Sequence, residues 1–346
     1  MGTEINFGEI EDVLERILGE HTGFESMVEQ VMTDGRLVSP GKWLELFGKI
    51  LIEQFKNHGQ TIGYLLLLII SAAVLANIAK AFRNRQISDM GFYMIYLLLF
   101  LIMMRSFGTC YTLTEKVIGN LIDFMRVLMP AYLMAAAVSA YRTSAVIYYE
   151  GFLLLIYYLQ KAVAVILLPG IRCYVLFSML GHLGKEEMFS RGREGLKKAI
   201  LFLMKAMVGV TAGLQVVQGM ITPAVDEFKQ TVLSKGLSSL GGIGNIMGNV
   251  TDVIVGSGVL LKNGIGVAAA ILIVVICLVP VIQTGSYAVF YQVLAVIAEP
   301  ISDKRMTKAI GQMGEGIGLL VRLLFSVCAL FLLTIAIICV MTGGIQ

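Results

Sequence analysis

The sequence predicts an all-α, polytopic membrane protein of about seven transmembrane helices (six to eight), preceded by an N-terminal amphipathic helical segment. Three observations predict it: the composition, the length of the apolar runs, and the basic residues between them. Of 346 residues, 57% are hydrophobic and 15% charged, with a mean hydropathy of +0.81. Soluble domains are about 45–50% apolar and about 25% charged. One water-exposed fold cannot bury this excess, and lipid is the solvent that accommodates it. A net charge of +3 is too slight to argue for nucleic acid.

Residues 1–60 form the first unit. Eleven acidic residues from Glu4 to Glu53 face five basic ones. No basic start followed by an apolar stretch marks a cleavable signal. Ile10, Val13, Leu14, Ile17 and Leu18 recur at helical spacing, and Glu9, Glu11 and Asp12 suit the positive end of a helix dipole. After a turn over 36–40, Trp43, Phe47, Ile50, Leu51 and Phe55 share one face of a second amphipathic helix. That helix either lies in the membrane interface or packs on other protein.

A first transmembrane group occupies 61–183. A spanning helix needs roughly 17–25 apolar residues. Runs over 62–82, 90–110 and 117–140 meet that length. Residues 144–183 hold enough apolar sequence for two further helices meeting near Gln160 and Lys161, the second kinked at Pro169 and Gly170. A basic loop, 184–198, follows. The second group, 199–346, has spans over 199–221, 264–282 and 317–341. The short apolar piece 287–298 is either re-entrant or an eighth helix.

Basic residues set orientation. Lys80, Arg83 and Arg85, then Lys185, Arg191, Arg193, Lys197 and Lys198, then Lys304, Arg305 and Lys308 mark three cytoplasmic loops. Spans alternating between these loops place both the acidic N-terminal segment and the C-terminal tail outside. The glycine-rich stretch 223–266 then lies on the outer face, where it either dips into the membrane or packs closely on the helices.

Ionisable residues within apolar segments are the candidate functional groups. Arg105, Asp123 and Arg126 would meet if a hairpin joined the second and third spans. They then either line a polar pathway or lock the hairpin by an ion pair. Gly209 with Gly213, Gly244 with Gly248, and Gly314 with Gly318 have the small-xxx-small spacing of packed helices. The five cysteines and three histidines are scattered singly, so neither a disulfide framework nor a metal site is expected. No HExxH, GxSxG or P-loop sequence occurs. The sequence therefore predicts no cofactor and no enzymatic activity.

The glycine-rich segment carries a specific wording. Asp252-Val-Ile-Val-Gly256-Ser257-Gly-Val-Leu-Leu-Lys262-Asn263-Gly-Ile-Gly266 follows Gln215, Gly219, Pro223 and Asp226, and precedes Cys277-Leu-Val-Pro280 and Glu299-Pro300-Ile-Ser-Asp303-Lys-Arg305. In order and spacing these pieces resemble the stage III sporulation protein AE family, from about residue 40 to the end. The resemblance implies a non-enzymatic component of the channel joining mother cell to forespore in endospore-forming bacteria, in the role of candidate permease or export gate. It implies a place in the mother-cell membrane surrounding the forespore. Its implied partners are a cytoplasmic ATPase, ring-forming membrane subunits and the lipid bilayer. Asp252, Ser257, Lys262 and Asn263 would then either line a passage or cap helices around a re-entrant turn. A free-standing secondary transporter is the alternative, although the charges here sit near helix ends rather than at a midplane site.

Overall fold

A computed structural model describes residues 8–18, 28, positions between 63 and 74, 85–140, positions between 151 and 155, 157–181, 190–237 and 244–343. The second amphipathic helix, most of the first expected span, and much of 144–156 and of the basic loop 184–198 lie outside them. Six helices are described: α1 (Gly8–Leu18), α2 (Arg85–Ala140), α3 (Tyr157–Leu180), α4 (Ser190–Leu237), α5 (Gly244–Ala298) and α6 (Lys304–Gly343). Among the described residues there is no strand. Among the described residues, four stretches are long and apolar enough to cross a membrane: Met90–Tyr132 in α2, Tyr157–Leu180, Asn263–Ala298 in α5 and Lys304–Ala336 in α6.

The first amphipathic helix forms as the periodicity predicts. Ile10 is buried while Glu9, Asp12 and Glu15 are exposed, and α1 rests on α2. Helix α6 is the centre of the molecule, in contact with α2, α3, α4 and α5. Its Ala309, Ile310, Met313, Ile317, Leu320 and Leu324 are fully buried.

The helices are longer than the hydropathy runs, which corrects three expectations. The second and third expected spans are one uninterrupted helix, α2, with no hairpin between them. The polar stretch 111–116 holds neither glycine nor proline, and Thr112 and Thr114 donate to the carbonyls of Gly108 and Cys110. Such residues change the solvent a helix prefers without breaking its backbone. Likewise 287–298 is neither re-entrant nor a separate helix but the last three turns of α5. No junction occurs at Gln160 and Lys161, which lie inside α3. There Pro169 lacks the amide that would serve Val165, and the helix widens to a π-turn over Val163–Leu167 before resuming. The described parts of the glycine-rich stretch, 223–237 and 244–266, are helical and continuous with α4 and α5, and the residues that join them lie outside the described ones.

Candidate functional site

The outer face of α2 changes character along its length. From Met90 to Leu101 the exposed side chains are Met90, Tyr93, Met94, Leu97, Leu98 and Leu101, all suited to lipid. From residue 105 onward the same face presents Arg105, Thr109, Thr112, Glu115, Lys116, Asp123 and Arg126. Their spacing of three or four residues keeps them on one side of the helix. The opposite side is mainly apolar, with Phe107, Ile118, Leu121, Phe124, Met125 and Leu128 buried beside Ser106 and Thr114, which donate to carbonyls of their own helix.

This polar stripe runs alongside α3, a helix long and apolar enough to cross a membrane. Helix α3, 24 residues long or about 36 Å at 1.5 Å per residue, suffices for a single crossing. It runs antiparallel to α2. Gln160 accepts a hydrogen bond of 2.8 Å from Arg126 Nη2, the Arg172 guanidinium sits 6.0 Å from the Tyr111 ring centroid, and the Tyr96 hydroxyl donates to the Met179 carbonyl at 2.6 Å. The stretch from Tyr111 to Arg126 thus runs alongside α3 from Arg172 to Gln160, about one turn from the described start of that helix.

Magnitudes decide what such a face can meet. Each Arg, Lys or Asp presented to lipid at the centre of a span costs about 2.5–3.5 kcal/mol. Five charged groups would together cost on the order of 10 kcal/mol. The threonines are less decisive, since Thr109 and Thr112 bond to carbonyls of their own helix. The Arg126–Asp123 pair, 3.9 Å apart with side chains 46% and 60% exposed, offsets little. Water or a polar protein surface is the medium this face requires.

Of the expected patch, Asp123 and Arg126 do meet, one turn apart. Arg105 does not join them. On one continuous helix it stands 18 residues from Asp123, about 27 Å away. The three residues mark a line along the helix instead of a cluster.

A second polar group escaped the sequence reading. Tyr174 of α3 donates to Glu315 Oε2 of α6 at 2.8 Å, and Lys197 Nζ of α4 donates to the same oxygen at 2.9 Å. The pair is half-exposed, with side-chain accessibilities of 33% and 44%. Glycines bracket Glu315 and bring the helices near. A Cβ on Gly314 would press on Tyr291, Gln292 and the Ala288 carbonyl of α5, and one on Gly316 would overlap the Val175 side chain of α3. The signal was the Gly-Glu-Gly triplet 314–316 within an apolar helix. The expected partner Gly318 has nothing within 4 Å, nor do Gly209 and Gly213. Nearby, Lys198 pairs with Glu194 at 2.8 Å. That hydrogen bond and charge hold the Glu194 carboxyl below its ordinary range.

The downstream signature is a turn and a clasp. Ile301 and Ser302 donate their amides to the Ala298 carbonyl and close α5. Asp303 Oδ1 accepts the Arg305 amide at 2.8 Å and caps α6. The Arg305 guanidinium lies 3.7 Å from the Phe92 ring centroid of α2 and 3.3 Å from Asp303. Glu299 and Pro300 are exposed in the turn. Gln215, Pro223 and Asp226 lie in α4, and Asp252, Gly256, Ser257 and Lys262 in α5; their side chains fall outside the described ones. Asn263 is exposed on α5, in the body of the helix and not at a cap.

Three buried cysteines, Cys110, Cys277 and Cys328, are free thiols in helix contacts, and free Cys173 is exposed. Among the described residues no three His, Cys, Asp or Glu side chains gather as a metal site requires.

Comparison with known proteins bears on this geometry. The stage III sporulation protein AE family matches residues 22–342, beginning earlier than the wording of the signature indicates. Stage III sporulation protein AE of Bacillus subtilis (strain 168) is 21% identical over 314 residues, covering 90% of this chain and 78% of that protein. No solved structure matches the chain.

Proposed function

The chain belongs to the stage III sporulation protein AE family, and from that premise we propose that it is a non-enzymatic subunit of the channel between mother cell and forespore. Its role is that of permease or export gate. The observation that carries this reading is the polar stripe of α2, a charged face alongside a helix long and apolar enough to cross a membrane, which needs water or a polar partner to exist. A passage, or the wall of one, supplies that need.

The remaining assignments follow from the same reading. The chain crosses the mother-cell membrane around the forespore several times, with the acidic segment 1–60 outside and docking partners between the two membranes. The units 61–183 and 199–346 are the two transmembrane groups, joined by the basic cytoplasmic stretch 184–198, whose residues 190–198 open α4. The segment 223–266, with Pro223, Asp226, Asp252, Gly256, Ser257 and Lys262, helps form or seal the passage. A cytoplasmic ATPase and ring-forming membrane subunits complete the assembly. The clasp at Glu299, Pro300 and Asp303 holds α5 and α6 in register with α2 and supports the wall.

Deletion of the gene under sporulation conditions tests the reading, with engulfment and late forespore gene expression scored separately. Completed engulfment with failed late expression and shrunken forespores is the expected result. Normal spores, with altered uptake or efflux of a solute in growing cells, would replace it with a free-standing transporter.

A further inference from the structure

Taking the stripe as a water-facing wall, as the proposed function does, we propose that this wall favours anionic solutes. Its charges are unequal. Along α2 three cations, Arg105, Lys116 and Arg126, stand against two carboxylates, Glu115 and Asp123. The flanking helix α3 adds exposed Lys161 and Arg172 and contains no carboxylate at all.

The balance is more uneven than the count. Asp123 is already engaged by Arg126 at 3.9 Å, while Arg126 also donates to Gln160 and so stays fixed at the α2–α3 seam. Among the described residues Arg105 and Lys116 form no ion pair and are exposed. Arg172 stands over Tyr111, one turn before Glu115, and adds a further cation beside the stripe.

Spacing supports passage over capture. Arg105, Lys116 and Arg126 are 10 or 11 residues apart, or about 15–17 Å along the axis. They cover about 31 Å, close to the hydrocarbon thickness of a bilayer. An anion therefore meets Arg105 and then Lys116, and beyond them the ion-paired Arg126, with no single tight cluster to trap it. Pores lined by Arg and Lys select anions in this way, and low-dielectric walls strengthen the field that does so.

The test places cysteines in the full-length protein in membranes of sporulating cells. Thr112→Cys and Gly119→Cys probe the stripe, Leu98→Cys probes the apolar face, and the unmodified chain with its exposed Cys173 sets the background. Gly119 has nothing within 4 Å of an added Cβ, so that position tolerates the change. Each variant, its abundance checked by immunoblot, is treated with anionic and cationic methanethiosulfonate reagents. Rates are normalised to those of a free thiol.

The anionic reagent is expected to react about tenfold faster at both stripe positions, the lower end for charge focusing in a cleft, with Leu98→Cys inert to both. Adding Lys116→Glu is expected to abolish the preference. Equal rates, or a faster cationic reagent, would overturn the anion preference while leaving a water-facing wall in place. No reaction at either stripe position with protein present would overturn both.

Discussion

Between Ala288 and Gly316 the α5–α6 hairpin buries its facing side chains, uses glycine where backbones approach, and satisfies its turn with a capped aspartate. From Arg105 to Arg126, α2 does the opposite on its outer face, exposing five charges that only one close pair partly neutralises. Both regions lie in helices apolar enough to cross a membrane. The hairpin is built for stability, because dispersion and close packing are what hold helices together where lipid offers no hydrophobic drive. The stripe contributes little to folding and is costly unless something polar covers it. The proposed function rests on that cost.

The contrast can be broken at its strongest point first. Gly316→Leu drives a side chain into Val175, and overpacking of this kind costs up to about 3 kcal/mol. The variant should disappear from membrane fractions, and adding Val175→Ala should restore part of its abundance. An undiminished level would mean that α3 and α6 do not meet as described.

Glu315→Ala comes next. It deprives Tyr174 and Lys197 of their shared acceptor, at about 1–2 kcal/mol once the half-exposure of the pair is considered. The melting temperature in detergent should fall, and Glu315→Gln should recover roughly half the loss through the tyrosine hydrogen bond. Equal losses for the two variants would remove the hydrogen bond from the account.

Asp303→Ala should cost about 1 kcal/mol as a lost cap, with Asp303→Asn close to wild type. An Asn variant as unstable as Ala would assign the effect to the Arg305 ion pair rather than to the cap.

The smallest effect on stability is expected on the stripe. Arg105→Leu and Lys116→Leu should shift detergent stability by no more than about 0.5 kcal/mol, yet lower spore yield sharply. If either destabilised the protein as much as Glu315→Ala, the stripe would be a packing surface and the comparison would collapse.

Much of the site was legible in residue type. Asp123 and Arg126 were readable as a pair from their three-residue spacing, and Ile10 as the buried anchor of α1 from its periodicity. The turn after Ala298 was present in the signature wording. Arg105 was identified as a charge in an apolar setting but assigned to the wrong neighbours. A polar interval such as 111–116 looks like a loop to any hydropathy reading, whereas the backbone there remains helical. Glu315 was passed over because its partners come from residues 118 and 141 positions away.

The amino-acid sequence by itself determined that this chain is helical and belongs in a membrane. Those properties are sums over local terms: apolar area per residue, helical spacing, and the scarcity of charge in long runs. It also carried the family wording, since order and spacing along the chain are one-dimensional facts. Only the tertiary structure decided where helices run on through polar intervals, which glycine meets which neighbour, and that Tyr174, Lys197 and Glu315 converge. It also decided that the charges of α2 fall on an outer face alongside α3. Each of these depends on which surfaces come together across long stretches of chain, and an apolar pattern alone does not specify which of several similar helices will be its neighbour.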